Sequence, residues 1–92
     1  MNRKTLVKTM KPYIVDAETV EQLVDAASYG VQASVEWAIS RIVLLQNRVA
    51  EGQEVVIGRQ GTTQSIKSRS ELDAWVASAL PNAWSVLCHR AH

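Results

Sequence analysis

A run of apolar residues at helical spacing between positions 31 and 51 constrains the fold more than any other stretch of this sequence. Its apolar side chains recur at three- and four-residue steps and share one face: Val31, Val35, Ala38, Ile42, Leu45 and Val49, with Ile39 at the margin. Gly30 and Gly52 flank the run, where a residue that tolerates a positive φ often ends a helix. The pattern predicts a central helix about 30 Å long, at roughly 1.5 Å per residue.

Length and composition favour one small soluble domain. The chain has 92 residues, 47% of them hydrophobic, which is sufficient for a single core over residues 1–92. The only cysteine, Cys88, cannot form an internal disulfide, so nothing indicates an oxidising compartment. No segment has the apolar length of a signal peptide or a membrane span. We therefore expect a cytoplasmic protein.

Charge is distributed unevenly, although the net charge is only +1. Residues 1–15 carry basic side chains and no acid, residues 12–40 carry acids and no Lys or Arg, and residues 55–70 are again basic without acids. Such segregation gives a molecule faces of opposite sign, which steer association with charged partners. Ordinary solvated faces on a near-neutral domain are the alternative.

The segment before the central helix predicts a strand followed by a helix. Lysines and Pro12 are typical of an exposed edge, so we expect an edge strand near residues 5–10. The alternative is that the basic segment 1–12 is a flexible arm. Asp16 is a good N-cap for a helix that runs to about Tyr29. The apolar stripe of this helix is Val20, Leu23, Val24 and Ala27. Its acidic face is Glu18, Glu21 and Asp25, which either mimics nucleic-acid phosphates or keeps a surface helix hydrated.

After the central helix, the sequence predicts a hairpin, a helix and a last strand. EVVI and TTQSIK, separated by a turn through Gly58 and Gly61, form the hairpin. Ser68 or Ser70 opens a third helix as the first residue of a capping box, and Pro81 with Asn82 stops it. The apolar face of this helix is Leu72, Trp75, Val76 and Ala79. Residues 83–89 alternate in polarity and are expected to form a strand.

This order of elements predicts the α+β class. We expect a small antiparallel sheet of three or four strands, packed with helices around the long central helix. If the two glycine-separated helices act as one crossover, the order approximates the ferredoxin-like βαββαβ arrangement. If residues 5–10 are an arm, a three-stranded sheet with three helices remains.

The central helix carries a second stripe about 100° or more around from its apolar face. Its members follow the same helical spacing: Trp37, Arg41, Leu44 and Arg48. Trp and Arg are enriched at interface hot spots, so the stripe predicts contact with a protein partner. The alternative is a second packing layer within the fold, with Arg41 stacked over Trp37 as a cation–π pair.

The hairpin region combines basic residues with hydroxyl and amide donors. Arg59 lies in the expected turn, and Lys67 and Arg69 follow the second strand, with the TTQS sequence between them. Such side chains make phosphate and sugar contacts in nucleic-acid complexes, although a solvated hairpin has the same composition.

No catalytic or cofactor motif is present, so we expect no enzyme activity and no cofactor. Phosphate-binding glycine loops, the H-E-x-x-H pair and the C-x-x-C pair are all absent. Cys88, His89 and His92 supply fewer ligands than the four of a structural zinc site, so no metal is expected. Cys88 and His89 on a strand would point to opposite faces and could not act together.

A self-sufficient small chain with uneven charge, a basic arm and hairpin and a Trp/Arg stripe resembles the small phage-encoded inhibitors of type I-F CRISPR surveillance complexes. The resemblance covers the size and style of the whole chain, and that group shares no sequence motif. It implies binding to CRISPR effector protein subunits and guide RNA in the host bacterial cytoplasm, which blocks target DNA hybridisation. The guide-RNA contacts would then be Arg3, Lys4, Lys8, Arg59, Lys67 and Arg69, and the protein contacts Trp37, Arg41, Leu44 and Arg48.

Two alternatives from other classes remain at this stage. A small DNA-binding transcriptional regulator would use the helical pair between residues 20 and 50. A homo-oligomeric structural protein would bury the Trp37 stripe against a second copy.

Overall fold

A three-stranded mixed sheet and four helices form the part of the chain that the computed structural model describes, residues 11–28, 31–59 and 61–90. In chain order the elements are β1 (Tyr13–Val15), α1 (Ala17–Ser28), α2 (Gln32–Ala50), β2 (Val55–Arg59), β3 (Thr62–Ile66), α3 (Arg69–Ala79) and α4 (Pro81–Arg90). The predicted α+β class is confirmed. The strand expected at residues 5–10 lies outside the described residues.

The sheet has the order β1-β2-β3, and its two pairings differ in direction. β2 and β3 form the predicted antiparallel hairpin, with Val55 opposite Ile66 and Arg59 opposite Thr62. β1 pairs with β2 in parallel, which the expectation of an antiparallel sheet missed. Strands that run in parallel need a crossover connection, and here α1 and α2 together supply it. The ferredoxin-like order is not found, because the last expected strand is a helix.

The central helix is confirmed as α2, and hydrogen bonds beyond its last residue define its C-terminal end. Its buried residues are Val35, Ala38, Ile39, Ile42, Leu45 and Val49. Val31, predicted for the same face, is 56% exposed because it lies at the N-cap in an extended conformation, before the helix begins. At the other end, Gly52 adopts φ +89°, donates to the Val49 carbonyl and lets Gln53 donate to the Arg48 carbonyl. This pair of bonds is a Schellman motif, which satisfies carbonyls that the helix end leaves unpaired.

The first helix is also confirmed, and its start is set by Asp16. The Asp16 carboxylate accepts a hydrogen bond from the Thr19 backbone N–H at 2.8 Å, as an N-cap does. Val20, Leu23 and Ala27 are buried, and Val24 is half-buried against the same core. The acidic residues therefore face away from the core, as predicted.

The C-terminal segment is a helix, so the strand predicted at residues 83–89 is wrong. Pro81 occupies the first turn of α4, where its fixed φ and missing N–H suit a helix start, and it begins this helix rather than only ending α3. Ala83 is buried, and Trp84, Val86 and Leu87 pack against the core at helical spacing. The Asn82 side chain donates to the Ala27 carbonyl at 3.1 Å, which joins the start of α4 to the end of α1.

The hairpin turn is shorter than predicted, because β2 extends through Gly58 to Arg59, which was expected in the turn. Gly58 belongs to β2, opposite Thr63, whereas Gly61 has φ +86° directly before β3. A Cβ added at Gly58 would lie 3.6 Å from the nearest atoms of Val15 and Ala17, an ordinary contact, and one at Gly61 would meet no atom within 4 Å. Of the two hairpin glycines, only Gly61 has a backbone conformation that favours glycine.

Gly61→Ala is expected to lower the free energy of unfolding by about 1 kcal/mol, since alanine is strained at positive φ. Gly58→Ala is the matched control and should be neutral or slightly stabilising, because glycine weakens a strand interior. Urea denaturation of both variants measures the difference. An equal loss in the two variants would contradict this placement of the turn.

The two serines that compete as the cap of α3 can be separated in the same way. Ser68 Oγ accepts from the Glu71 backbone N–H at 3.2 Å, while the Glu71 carboxylate accepts from the Lys67 N–H at 2.8 Å. Ser68→Ala should therefore cost about 1 kcal/mol of stability. Ser70→Ala, within the first turn of the helix, should cost little. Thermal unfolding midpoints of the two variants report the outcome, and a larger loss for Ser70→Ala would reverse the assignment.

Candidate functional site

The second stripe of the central helix lies on the side of α2 that faces β1. We call Trp37, Arg41, Leu44 and Arg48 the Trp37 strip. Trp37 is 39% exposed, Arg41 is exposed, and Leu44 and Arg48 are half-buried. The strip is therefore open at its Trp37 end and covered by β1 toward the other.

Both arginines of the strip stack on aromatic rings. The Arg41 Cζ atom lies 5.6 Å from the centre of the Trp37 ring, and the Arg48 Cζ atom lies 5.1 Å from the centre of the Tyr13 ring. The predicted Arg41–Trp37 pair is present, while Arg48 serves to hold β1 against α2. Within the described residues, Arg48 Nε is buried and has no hydrogen-bond partner. Stacking on Tyr13 therefore partly offsets a desolvated donor.

A groove runs between the Trp37 strip and β1. We call it the edge groove, and its lining residues are Tyr13, Ile14, Val15, Thr19, Leu23, Arg41, Leu44 and Leu45. Ile14 is 62% exposed, so a large aliphatic side chain lies open at this edge of the described sheet. Among the described residues no acidic side chain lines the groove, and the charge that these residues supply comes from Arg41.

Two hydrogen bonds fix the position of β1 along this groove. The Gln53 side chain donates to the Lys11 carbonyl, and the Tyr13 N–H donates to the Glu54 carbonyl, both at 2.8 Å. Gln53 is itself held by the Schellman motif at the end of α2. The end of the central helix thus determines where the edge strand lies.

The described basic residues proposed for phosphate contacts, Arg59, Lys67 and Arg69, do not form one patch. Arg59 and Lys67 flank opposite ends of β3, a five-residue strand about 17 Å long at roughly 3.4 Å per residue. Arg59 borders a hollow shared with Glu21 and Asp25 of α1, carboxylates that oppose an incoming phosphate. The Arg69 Nε atom lies 3.0 Å from the Asp73 carboxylate, so its charge is partly compensated. Arg3, Lys4 and Lys8 lie outside the described residues.

A second hollow contains side chains that sequence analysis did not connect. It is lined by Gln46, Arg69, Trp84, Leu87, Cys88 and Arg90. The Arg90 guanidinium pairs with both oxygens of Glu36. Hydrogen bonding by Arg90 lowers the pKa of Glu36 below its ordinary value, and the same contact raises the pKa of Arg90. The only sequence signal for this hollow was helical spacing after Pro81.

The described residues offer no other chemistry of note. Within residues 11–28, 31–59 and 61–90, no three His, Cys, Asp or Glu side chains converge on a possible metal position. Cys88 and His89 are exposed neighbours on the helix α4, and they do not point to opposite faces of a strand as expected. Over the same residues, no helix combines the length and the apolar character needed to cross a membrane.

No protein-family model matches this sequence, and searches of curated proteins and of solved structures found no significant match. What the edge groove and the Trp37 strip can bind therefore has to be inferred from their own residues.

Asp16 caps α1, the helix that supplies Thr19 and Leu23 to the groove. The pKa of the Asp16 carboxyl is lowered. Hydrogen bonds from the Thr19 hydroxyl and then from the Thr19 backbone N–H lower the pKa of Asp16. Because the folded pKa is the lower one, the stabilisation is present above the unfolded pKa and is lost as pH falls through the folded pKa.

Asp16→Asn should match the wild type near pH 7, since asparagine caps helices as well as aspartate does. On acidification, the wild type should lose stability that the Asn variant retains, because the amide does not titrate. Asp16→Ala should be less stable than the Asn variant at every pH, because alanine cannot cap the helix. Unfolding midpoints measured from pH 7 down to pH 2 test this, and parallel curves for the wild type and the Asn variant would contradict it.

Proposed function

We propose that this protein is a non-enzymatic inhibitor that acts in the bacterial cytoplasm by occupying a surface of a type I-F CRISPR surveillance complex. In this proposal it contacts effector protein and guide RNA, and prevents target DNA from hybridising. The observation that carries the binding role is the exposed Arg41–Trp37 stack beside the edge groove. The choice of this particular complex follows from the resemblance in size and charge pattern.

The stack has the properties of an interface anchor. Trp37 combines a large apolar surface with an indole N–H, and it remains 39% exposed on an otherwise well-packed helix. Arg41 is ordered over the ring, so less side-chain entropy is lost when it engages a partner. Buried Trp and Arg side chains carry a large share of the energy of protein interfaces. We therefore assign the Trp37 strip to the protein component of the complex.

The basic residues are assigned to guide-RNA phosphates, as separate contacts. Arg59 and Lys67 are too far apart to share one phosphate, so each would meet a different stretch of the RNA backbone. The Asp73 pairing of Arg69 leaves its two terminal nitrogens to donate, because Asp73 engages Nε. Arg3, Lys4 and Lys8 complete the set. Binding through such contacts should weaken as salt rises.

Capture by a purified type I-F surveillance complex tests this proposal. Trp37→Ala should weaken binding at least about tenfold, the loss expected for a hot-spot side chain. Val43→Ala is a matched control, because Val43 is also 39% exposed on α2 but lies outside the strip. Its effect should be small. Absence of capture of the wild-type protein at low salt would overturn the proposed target.

The RNA contribution is tested separately by reversing charge at Arg59, Lys67 and Arg69 together. The triple variant should bind more weakly and with a shallower salt dependence. Undiminished binding would remove these residues from the interface. A gel shift of bare duplex DNA that falls steeply with salt would instead favour the transcriptional-regulator alternative.

A further inference from the structure

The outer edge of β1 presents backbone groups to the edge groove that pair with no other strand of the described sheet. In a parallel pair, alternate residues of a strand bond to one neighbour. The Tyr13 N–H donates to the Glu54 carbonyl, so the backbone N–H and C=O groups of Tyr13 and Val15 point toward β2. The N–H and C=O of Ile14 therefore point toward the opposite edge. Over residues 11–28, 31–59 and 61–90, no strand pairs with that edge. The sheet therefore offers a place for one more strand.

The described surface beside that edge is mostly apolar, and its charge is positive. Exposed Ile14 and half-buried Leu44 provide apolar surface at the rim, and Leu23 and Leu45 form the buried floor. Arg41 stands at the wall with its guanidinium over Trp37, and it makes no ion pair within the described residues. A segment lying here would meet apolar surface and one uncompensated cation.

We infer that the edge groove binds an extended, acidic segment of a partner protein, which adds as a strand beside β1 and places a carboxylate on Arg41. Main-chain hydrogen bonds to Ile14 supply register, and alternate side chains of the segment point toward α2. This deepens the proposed function, because it gives the chemistry of the protein contact made by the Trp37 strip. It does not depend on which complex supplies the segment.

Charge complementarity selects an acidic segment over a basic one. A carboxylate at Arg41 gains a charge-assisted hydrogen bond, whereas a lysine or arginine would meet a like charge that no acid among the described lining residues compensates. A second copy of this chain is a poorer occupant. It would bring its own Pro12, which lacks an N–H, and its own Lys11, which adds positive charge.

The test uses two end-blocked peptides of eight residues, one alternating valine with glutamate and one alternating valine with lysine. Each is titrated into the full-length protein labelled with ¹⁵N. The glutamate peptide should shift the Ile14 amide and the Trp37 indole N–H and slow hydrogen exchange at Ile14. The lysine peptide should bind at least about tenfold more weakly, the factor that corresponds to 1.4 kcal/mol.

Arg41→Glu should exchange the preference, so that the lysine peptide binds more tightly than the glutamate peptide. Arg59→Glu is the matched control, with the same charge change on a strand end next to α1, and it should leave the preference unchanged. Rescue by the complementary peptide also shows that the Arg41 variant is folded.

Equal binding of both peptides, no change on Arg41→Glu, or unprotected exchange at Ile14 would overturn the inference. So would peptide binding that appears only after residues 1–10 are removed, or a doubling of mass in sedimentation, since the chain itself would then cover the edge. Peptide binding without capture by the surveillance complex would overturn the proposed target alone. Capture of the complex by a protein that binds neither peptide would overturn the strand-addition inference alone.

Discussion

The parallel pairing of β1 with β2 is the constraint on which the rest of this structure depends. A hairpin cannot join parallel strands, so the chain must travel back along the sheet before β2 begins. α1 and α2 form this crossover connection, and their buried faces pack on one another and on β2. The connection therefore supplies half of the buried hydrophobic residues of the described chain before the hairpin is reached. It also leaves β1 at one edge of the described sheet.

The length of α2 then determines where surface is left uncovered. Nineteen residues at roughly 1.5 Å each give a helix about 28 Å long, whereas β1 contributes only three residues, or roughly 10 Å. A strand so short covers only part of the side of α2 that faces it. Tyr13 reaches Arg48, but Trp37 and Arg41 lie farther along the helix and stay open. The exposed stack thus follows from a mismatch between a long helix and a short edge strand.

Periodicity predicted the elements that bury one continuous face. The central helix, α1, the hairpin and α3 all show such a face, and their caps at Asp16, Ser68 and Gly52 carry recognisable chemistry. β1 was missed because three residues are too few to show alternation, and its pairing depends on Glu54, far along the chain. α4 was missed because its alternation in polarity resembled a strand and Pro81 was interpreted only as a stop signal.

The candidate site was predictable to the extent that one helix encodes it. Trp37, Arg41, Leu44 and Arg48 share a stripe by spacing alone, so their grouping needed no tertiary information. Ile14 and Thr19 join them only through the fold. The basic residues were grouped by sequence position, yet Arg59 and Lys67 flank opposite ends of β3. The hairpin separates them because Arg59 lies before its turn and Lys67 lies after its second strand.

The way in which the arginines are paired separates structural cations from available ones. Arg69 and Arg90 are compensated by carboxylates of their own chain, Asp73 and Glu36, and such pairs present little net field. The arginines of the Trp37 strip are held by aromatic rings instead. A ring fixes the position of a guanidinium without neutralising it, so the positive charge remains available to an external anion. A specific contact with a carboxylate requires a guanidinium that is held in place and still charged. Among the arginines of the described residues, Arg41 meets this requirement and is also exposed beside the edge of β1.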